Sequence, residues 1–156
     1  MQETTCCVFG HREIDETAEL RAQVTRAMER LITEEKVDTF LFGSKSRFND
    51  LCLALVTQLK EQYPHIKRVY LRAEFPHIDQ DYMAYLLQSY EDTEYPEGLL
   101  GAGKAVYVER NYEMIRRSRF CIVYYKEEYS PSTRKSGTKT ALDYARKKER
   151  EIISFP

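Results

Sequence analysis

Residues 109–125 read ERNYEMIRRSRFCIVYY, and a change of pattern inside this stretch decides the fold class. Up to Arg117 the apolar residues stand among polar ones at helical spacing. Arg110, Met114 and Arg117 share one track, and Asn111, Ile115 and Ser118 the next. From Arg119 the chain becomes the apolar run RFCIVYY (119–125), the composition of a strand buried on both faces. The pattern predicts a helix over about 105–117 followed directly by a strand.

The same alternation extends in both directions. TTCCVFG (4–10) and VDTFLFG (37–43) read as strands that close on Gly10 and Gly43. Between them a helix is expected over 15–34, with Leu20, Val24, Met28, Leu31 and Ile32 on one face and Asp15 as its N-cap. A second helix over 48–63 carries Leu51, Leu55, Val56 and Leu59 and stops at Pro64. IKRVYLRA (66–73) is the third strand, and RFCIVYY the fourth. SGTKTALDYARKK (136–148) is a further helix, and EIISF (151–155) the fifth strand. Residues 74–104 show no clean period and read as an irregular, partner-facing insert, with GLLGAG (98–103) as a flexible linker.

Strands that alternate with helices pair in parallel through right-handed crossovers. The fold class is therefore α/β, a three-layer doubly wound Rossmann-like fold with a mainly parallel five-stranded sheet, spanning 1–156 as one domain.

Composition narrows the function classes. The chain has 156 residues, with 24 basic and 25 acidic side chains giving a net charge of −1. That balance makes nucleic acid an unexpected partner, because bulk phosphate binding needs an excess of cations. No apolar run approaches the roughly 20 residues of a membrane span, so no membrane association is expected. The opening residues MQETTCC lack a signal-peptide pattern, and the expected location is cytoplasmic. Cys6, Cys7, Cys52 and Cys121 show no metal-ligand spacing and read as buried apolar thiols; no metal site is expected.

Candidate site residues follow from the strand ends. In open α/β sheets, ligands bind beyond the carboxyl ends of the strands, where the strand order reverses. Those ends carry Gly10, His11 and Arg12 after strand 1, and Gly43, Ser44 and Lys45 after strand 2. The fourth strand leads to Ser136, Gly137 and Thr138. Backbone amides beside basic and hydroxyl side chains suit an anion. Arg110 and Asn111, which precede the fourth strand, join them as ligand-binding candidates. The SGT stretch has two readings from the residues alone, a helix cap and an anion cradle. Neither GxxxxGK[ST] nor a GxGxxG in the first βα turn is present, which disfavours a Walker-type NTPase and ordinary dinucleotide redox binding.

CCVFGHRE, FGSKSRFNDLC, YPHIKRVY, ERNYEMIRRSRFCIVYY and SGTKTALDYARKKEREII, in this order, resemble the SLOG superfamily, and within it the small YpsA-like proteins. The resemblance covers nearly the whole chain and is weakest over 74–104. It implies a Rossmann-like fold that binds a nucleotide or nucleotide-derived, ADP-ribose-like ligand, and a homo-oligomer; no cofactor beyond such a nucleotide or nucleotide-sugar is implied. Lonely Guy type relatives hydrolyse nucleoside monophosphates at the N-glycosidic bond. Their motif arginine and Gly-Thr align with Arg110, Gly137 and Thr138. Their Pro-Gly-Gly is replaced by the loop KEEYSPSTRK, and their glutamate position is Ala141. The expected function is thus a non-catalytic binding module. The alternatives are an N-glycosidase or phosphoribohydrolase that uses Glu109 or Asp50, and an interaction module presenting the tyrosine-rich segment 82–95.

Overall fold

Eleven regular elements follow one another in the described residues, 2–127 and 136–155 of a computed structural model. The first half runs β1 (Gln2–Gly10), α1 (Ala18–Thr33), β2 (Thr39–Phe42), α2 (Arg47–Gln62) and β3 (Lys67–Leu71). The second runs α3 (Gln80–Leu86), β4 (Asp92–Glu94), α4 (Val106–Arg117), β5 (Ser118–Tyr124), α5 (Gly137–Lys147) and β6 (Glu151–Phe155). The strands form one sheet in the order β4-β3-β2-β1-β5-β6, with every neighbouring pair parallel.

The α/β doubly wound class is as expected, but the sheet has six strands, not five. The additional strand is β4, three residues long (DTE), lying at the edge beside β3. A polar triplet paired on one side needs no apolar alternation, so nothing in its composition announces it. Residues 74–104 accordingly contribute one strand to the sheet. They also contribute α3 and two short 3₁₀ turns, Glu97–Leu99 and Gly103–Ala105, and they bury Leu86, Tyr90 and Leu99. The GLLGAG stretch is built into these turns, with Gly101 and Gly103 at φ 81° and 61°, where a side chain would be strained.

Two apolar layers flank the sheet. On one face Cys6, Val8, Phe40, Phe42 and Ile122 pack against α1, α2 and the region of Leu86 and Tyr90. On the other, Cys7, Phe9, Leu41, Cys121 and Val123 pack against Met114 and Ile115 of α4 and Ala141, Leu142 and Ala145 of α5. All four cysteines are buried free thiols. Full burial of a large apolar side chain such as Phe48 stabilises by roughly 1.5–3 kcal/mol.

Three of the helix starts are set by hydroxyl caps. Thr17, not Asp15, caps α1, its Oγ1 accepting from the Leu20 amide at 3.0 Å. Ser46 Oγ accepts from the Asn49 amide at 3.0 Å and starts α2; Ser136 Oγ does the same for Lys139 in α5 at 3.0 Å. Among the described residues, no helix is long and apolar enough to cross a membrane.

The topology positions the site. From β1 the chain steps to β2, β3 and β4 on one side. It then returns through α4 on the opposite face to place β5 against the other edge of β1. The order reverses between β1 and β5, and α2, α4 and α5 all begin at the carboxyl edge of the parallel strands.

Candidate functional site at the carboxyl edge of the sheet

A cleft of about 830 Å³ opens at that edge. Gly10, His11 and Arg12 line it from β1, and Gly43, Ser44 and Lys45 from β2. Arg110 and Asn111 line it from α4, and Ser136, Gly137 and Thr138 from the start of α5. The eleven residues read from the strand ends therefore share one cavity. Asp50 and Glu109 do not line it. Most of the loop KEEYSPSTRK lies outside the described residues.

Two glycines permit the close packing around the cleft. A Cβ on Gly10 would lie 2.3 Å from Phe48 Cβ, so glycine lets the start of α2 rest on the end of β1. A Cβ on Gly43 would lie 2.7 Å from Arg110 Cδ and 2.9 Å from Met114 Sδ. Gly43 thereby admits Arg110 to the cleft floor. At Gly137 a Cβ would meet nothing within 4 Å among the described residues.

Arg110 is 5% exposed, yet no carboxylate pairs with it among the described residues. Its Nη1 donates to the Gly43 carbonyl at 2.6 Å, and its Nε to Asn111 Oδ1 at 3.2 Å. Nη2 makes no hydrogen bond among the described residues and is not sealed from solvent. Burial lowers the pKa of this guanidinium, against smaller opposing effects from Tyr70, Tyr107 and Glu74. A buried guanidinium with no carboxylate in direct contact favours an incoming anion, because the desolvation cost is already met in the fold.

The turns supply further donors. Ser136 Oγ and its carbonyl take the Lys139 and Thr140 amides, which leaves the Gly137 and Thr138 amides without acceptors among the described residues at the positive end of α5. Ser44 Oγ lies 3.1 Å from Ser46 Oγ. Arg12 and Lys45 are exposed and form no ion pair among the described residues. His11 is different in kind. Its Nε2 lies 2.8 Å from the Lys126 amide nitrogen and 3.1 Å from the Lys126 carbonyl oxygen, and it joins the end of β1 to the end of β5. Burial lowers its pKa.

Sequence reasoning missed the β3 side of the cleft. Tyr70, Arg72, Glu74 and Phe75 line it there, with Tyr82 of α3 and Tyr107 of α4. The signal was RAEF (72–75), a strand end like the others but without glycine. Among the described lining residues, Arg12, Lys45, Arg72 and Arg110 face a single carboxylate, Glu74. Glu74 accepts a short hydrogen bond from the Tyr107 hydroxyl, which raises the tyrosine pKa. Ala141, at the position where the Lonely Guy type motif carries glutamate, is buried in the core and does not reach the cleft. Asp143 pairs with Lys139 at 3.2 Å. Among the described residues, no three His, Cys, Asp or Glu side chains gather as metal ligands. The arrangement suits an anion held by backbone amides, hydroxyls and guanidinium groups.

No protein-family model matches this chain, and no curated protein matches it either.

Proposed function

We propose that the protein is a binding module for a nucleotide or nucleotide-derived, ADP-ribose-like ligand, and that it is non-catalytic. The observation that carries this reading is Arg110, a buried guanidinium with no carboxylate partner, aimed into a cleft that free amides of α5 also line. The ligand's phosphate lies against Gly137 and Thr138, with Arg110 beneath it and Arg12 and Lys45 at the rim. The resemblance to the SLOG superfamily supports the same ligand class, and homo-oligomerisation is part of that proposal. Absence of a motif carboxylate supports binding over hydrolysis. Cleavage of an N-glycosidic bond builds positive charge on the ribose, and loss of one group that stabilises such a transition state costs about a hundred- to a thousandfold in rate.

The test is mass spectrometry of small molecules released on denaturing the purified protein and its Arg110→Met variant. A nucleotide or nucleotide-sugar present in the wild type and lost in the variant is expected. A protein whose melting temperature is unmoved by millimolar AMP, ADP-ribose or cyclic ADP-ribose contradicts the reading.

One observation favours a second reading, N-glycosyl hydrolysis. Glu74 faces the cleft where Glu109 and Asp50 do not. In that role its carboxylate takes a proton from a water whose oxygen bonds to the ribose C1′. The C1′–N bond breaks as the C1′–O bond forms, and its electron pair leaves on the base nitrogen. That nitrogen takes up a proton from solvent, to which Glu74 returns the one it accepted. Base release abolished by Glu74→Gln and unaffected by Glu109→Gln would establish it.

A further inference from the structure

The loop after β3 holds an aromatic ring where a folded chain alone does not need one. Phe75 has φ 61°, a left-handed conformation that is strained for a non-glycine residue. Its side chain is nevertheless 54% exposed at the mouth of the cleft. Burial therefore gives little in return for the strain.

Arg72 imposes this conformation. The side chain is buried, and its Nη1 donates to Thr93 Oγ1 of β4 at 3.0 Å. From that anchor its Nε donates to the Phe75 carbonyl at 3.1 Å, and Nη2 reaches the Pro76 carbonyl at 3.4 Å. Thr93 Oγ1 in turn donates to the Tyr70 carbonyl at 2.9 Å, which ties the bracket to the sheet. A buried guanidinium is thus spent on two loop carbonyls whose effect is to present Phe75. The ring meets Tyr82 edge-on, with centroids 6.2 Å apart and an interplanar angle of 83°. Together the two rings form a corner open to the cleft.

We infer that this corner is an aromatic subsite for the planar ring of the ligand, so that a nucleotide lies with its base against Phe75 and its phosphate at the β1–β5 end. The inference rests on the nucleotide reading above and adds the ligand's direction. The cleft is asymmetric in the required way. Free amides and Arg12 lie at the β1 and β5 ends, and the rings lie beyond β3. Three strand intervals, roughly 14 Å, separate β5, whose end leads to Gly137 and Thr138, from β3. That span is comparable with the full length of an extended nucleotide from its phosphate oxygens to the far edge of its base. Stacking on an aromatic side chain tolerates any base, so Phe75 contributes affinity and direction rather than base identity.

The test compares AMP with ribose 5-phosphate by calorimetry on the wild type, Phe75→Gly and Phe75→Tyr. Glycine accepts the left-handed backbone, so the first variant removes the ring and relieves strain, and it retains the fold. The wild type is expected to bind AMP about tenfold more tightly than ribose 5-phosphate. Phe75→Gly abolishes that difference with ribose 5-phosphate affinity unchanged, and Phe75→Tyr preserves it. Equal affinity of the wild type for both ligands overturns the subsite, as does a Phe75→Gly variant that keeps the preference or weakens both ligands alike. Failure of the wild type to bind either ligand is a separate result, which overturns the nucleotide reading itself.

Discussion

Arg110 Nη1 donates to the carbonyl of Gly43 at 2.6 Å, and this contact joins α4 to the end of β2 across the cleft floor. It exists because Gly43 has no side chain, since a Cβ there would press on Arg110 Cδ and Met114 Sδ. A glycine that closes a strand and an arginine 67 positions later thus form one device.

Arg110→Met separates function from stability. Methionine fills a similar volume and carries no buried charge, and replacing a buried ion by an apolar side chain is often neutral or stabilising. The melting temperature is expected to hold or rise while AMP binding falls at least a hundredfold, as read by thermal denaturation and calorimetry. A variant that unfolds at markedly lower temperature and still binds AMP would assign Arg110 a structural role instead.

Gly10→Ala acts in the opposite direction. The added Cβ would lie 2.3 Å from Phe48 Cβ, close to the α2 backbone, so the helix start must shift. A loss of about 1–3 kcal/mol in stability is expected from urea unfolding. Retention of wild-type stability would show that α2 is free to move away from β1.

His11 gives the stability a pH dependence of defined sign. Burial lowers its folded-state pKa below the ordinary 6.5, against a smaller opposing effect of its hydrogen bond with the Lys126 backbone. The unfolded chain therefore binds the proton more readily. The contribution is complete above about pH 6.5 and is lost as pH falls from there toward the lower folded pKa. Urea unfolding at pH 7.5 and pH 5.0 should show a smaller decrease in His11→Asn than in the wild type. An imidazole that titrates above 6.5 by NMR would contradict this.

Ser136→Ala probes the cap. Its Oγ accepts the Lys139 amide, and loss of such a cap costs about 1 kcal/mol. Stability measured in urea should fall by that amount. AMP affinity should fall only a few-fold, because the Gly137 and Thr138 amides remain. A neutral effect on stability would mean that α5 starts elsewhere.

The parts of the fold written as long apolar runs were legible. TTCCVFG, VDTFLFG and RFCIVYY are buried strands, and the residues that follow them meet at one edge because parallel strands bring all their carboxyl ends together. β4 was not legible, because an edge triplet of polar residues has no pattern to read. The seven-residue α3 is too short to establish a helical period. Asp50 follows Asn49 and Glu109 precedes Arg110 in the sequence. A helix turns about 100° per residue, and that step leaves both carboxylates off the cleft. Phe75 was hidden for another reason: its presentation depends on Arg72 bonding both to its carbonyl and to Thr93, 21 positions beyond Arg72. Such a closure belongs to the tertiary structure.

The central claim is that a nucleotide's phosphate sits at the strand ends on Gly137, Thr138 and Arg110. Amide chemical shifts of isotope-labelled protein, followed while AMP is added, test it most directly. The account predicts saturable shifts concentrated at Gly10, Arg12, Ser44, Gly137 and Thr138, absent from the Arg110→Met variant. Shifts confined to the exposed residues Tyr85, Leu87 and Leu100, or no shifts at millimolar AMP and ADP-ribose, would contradict it.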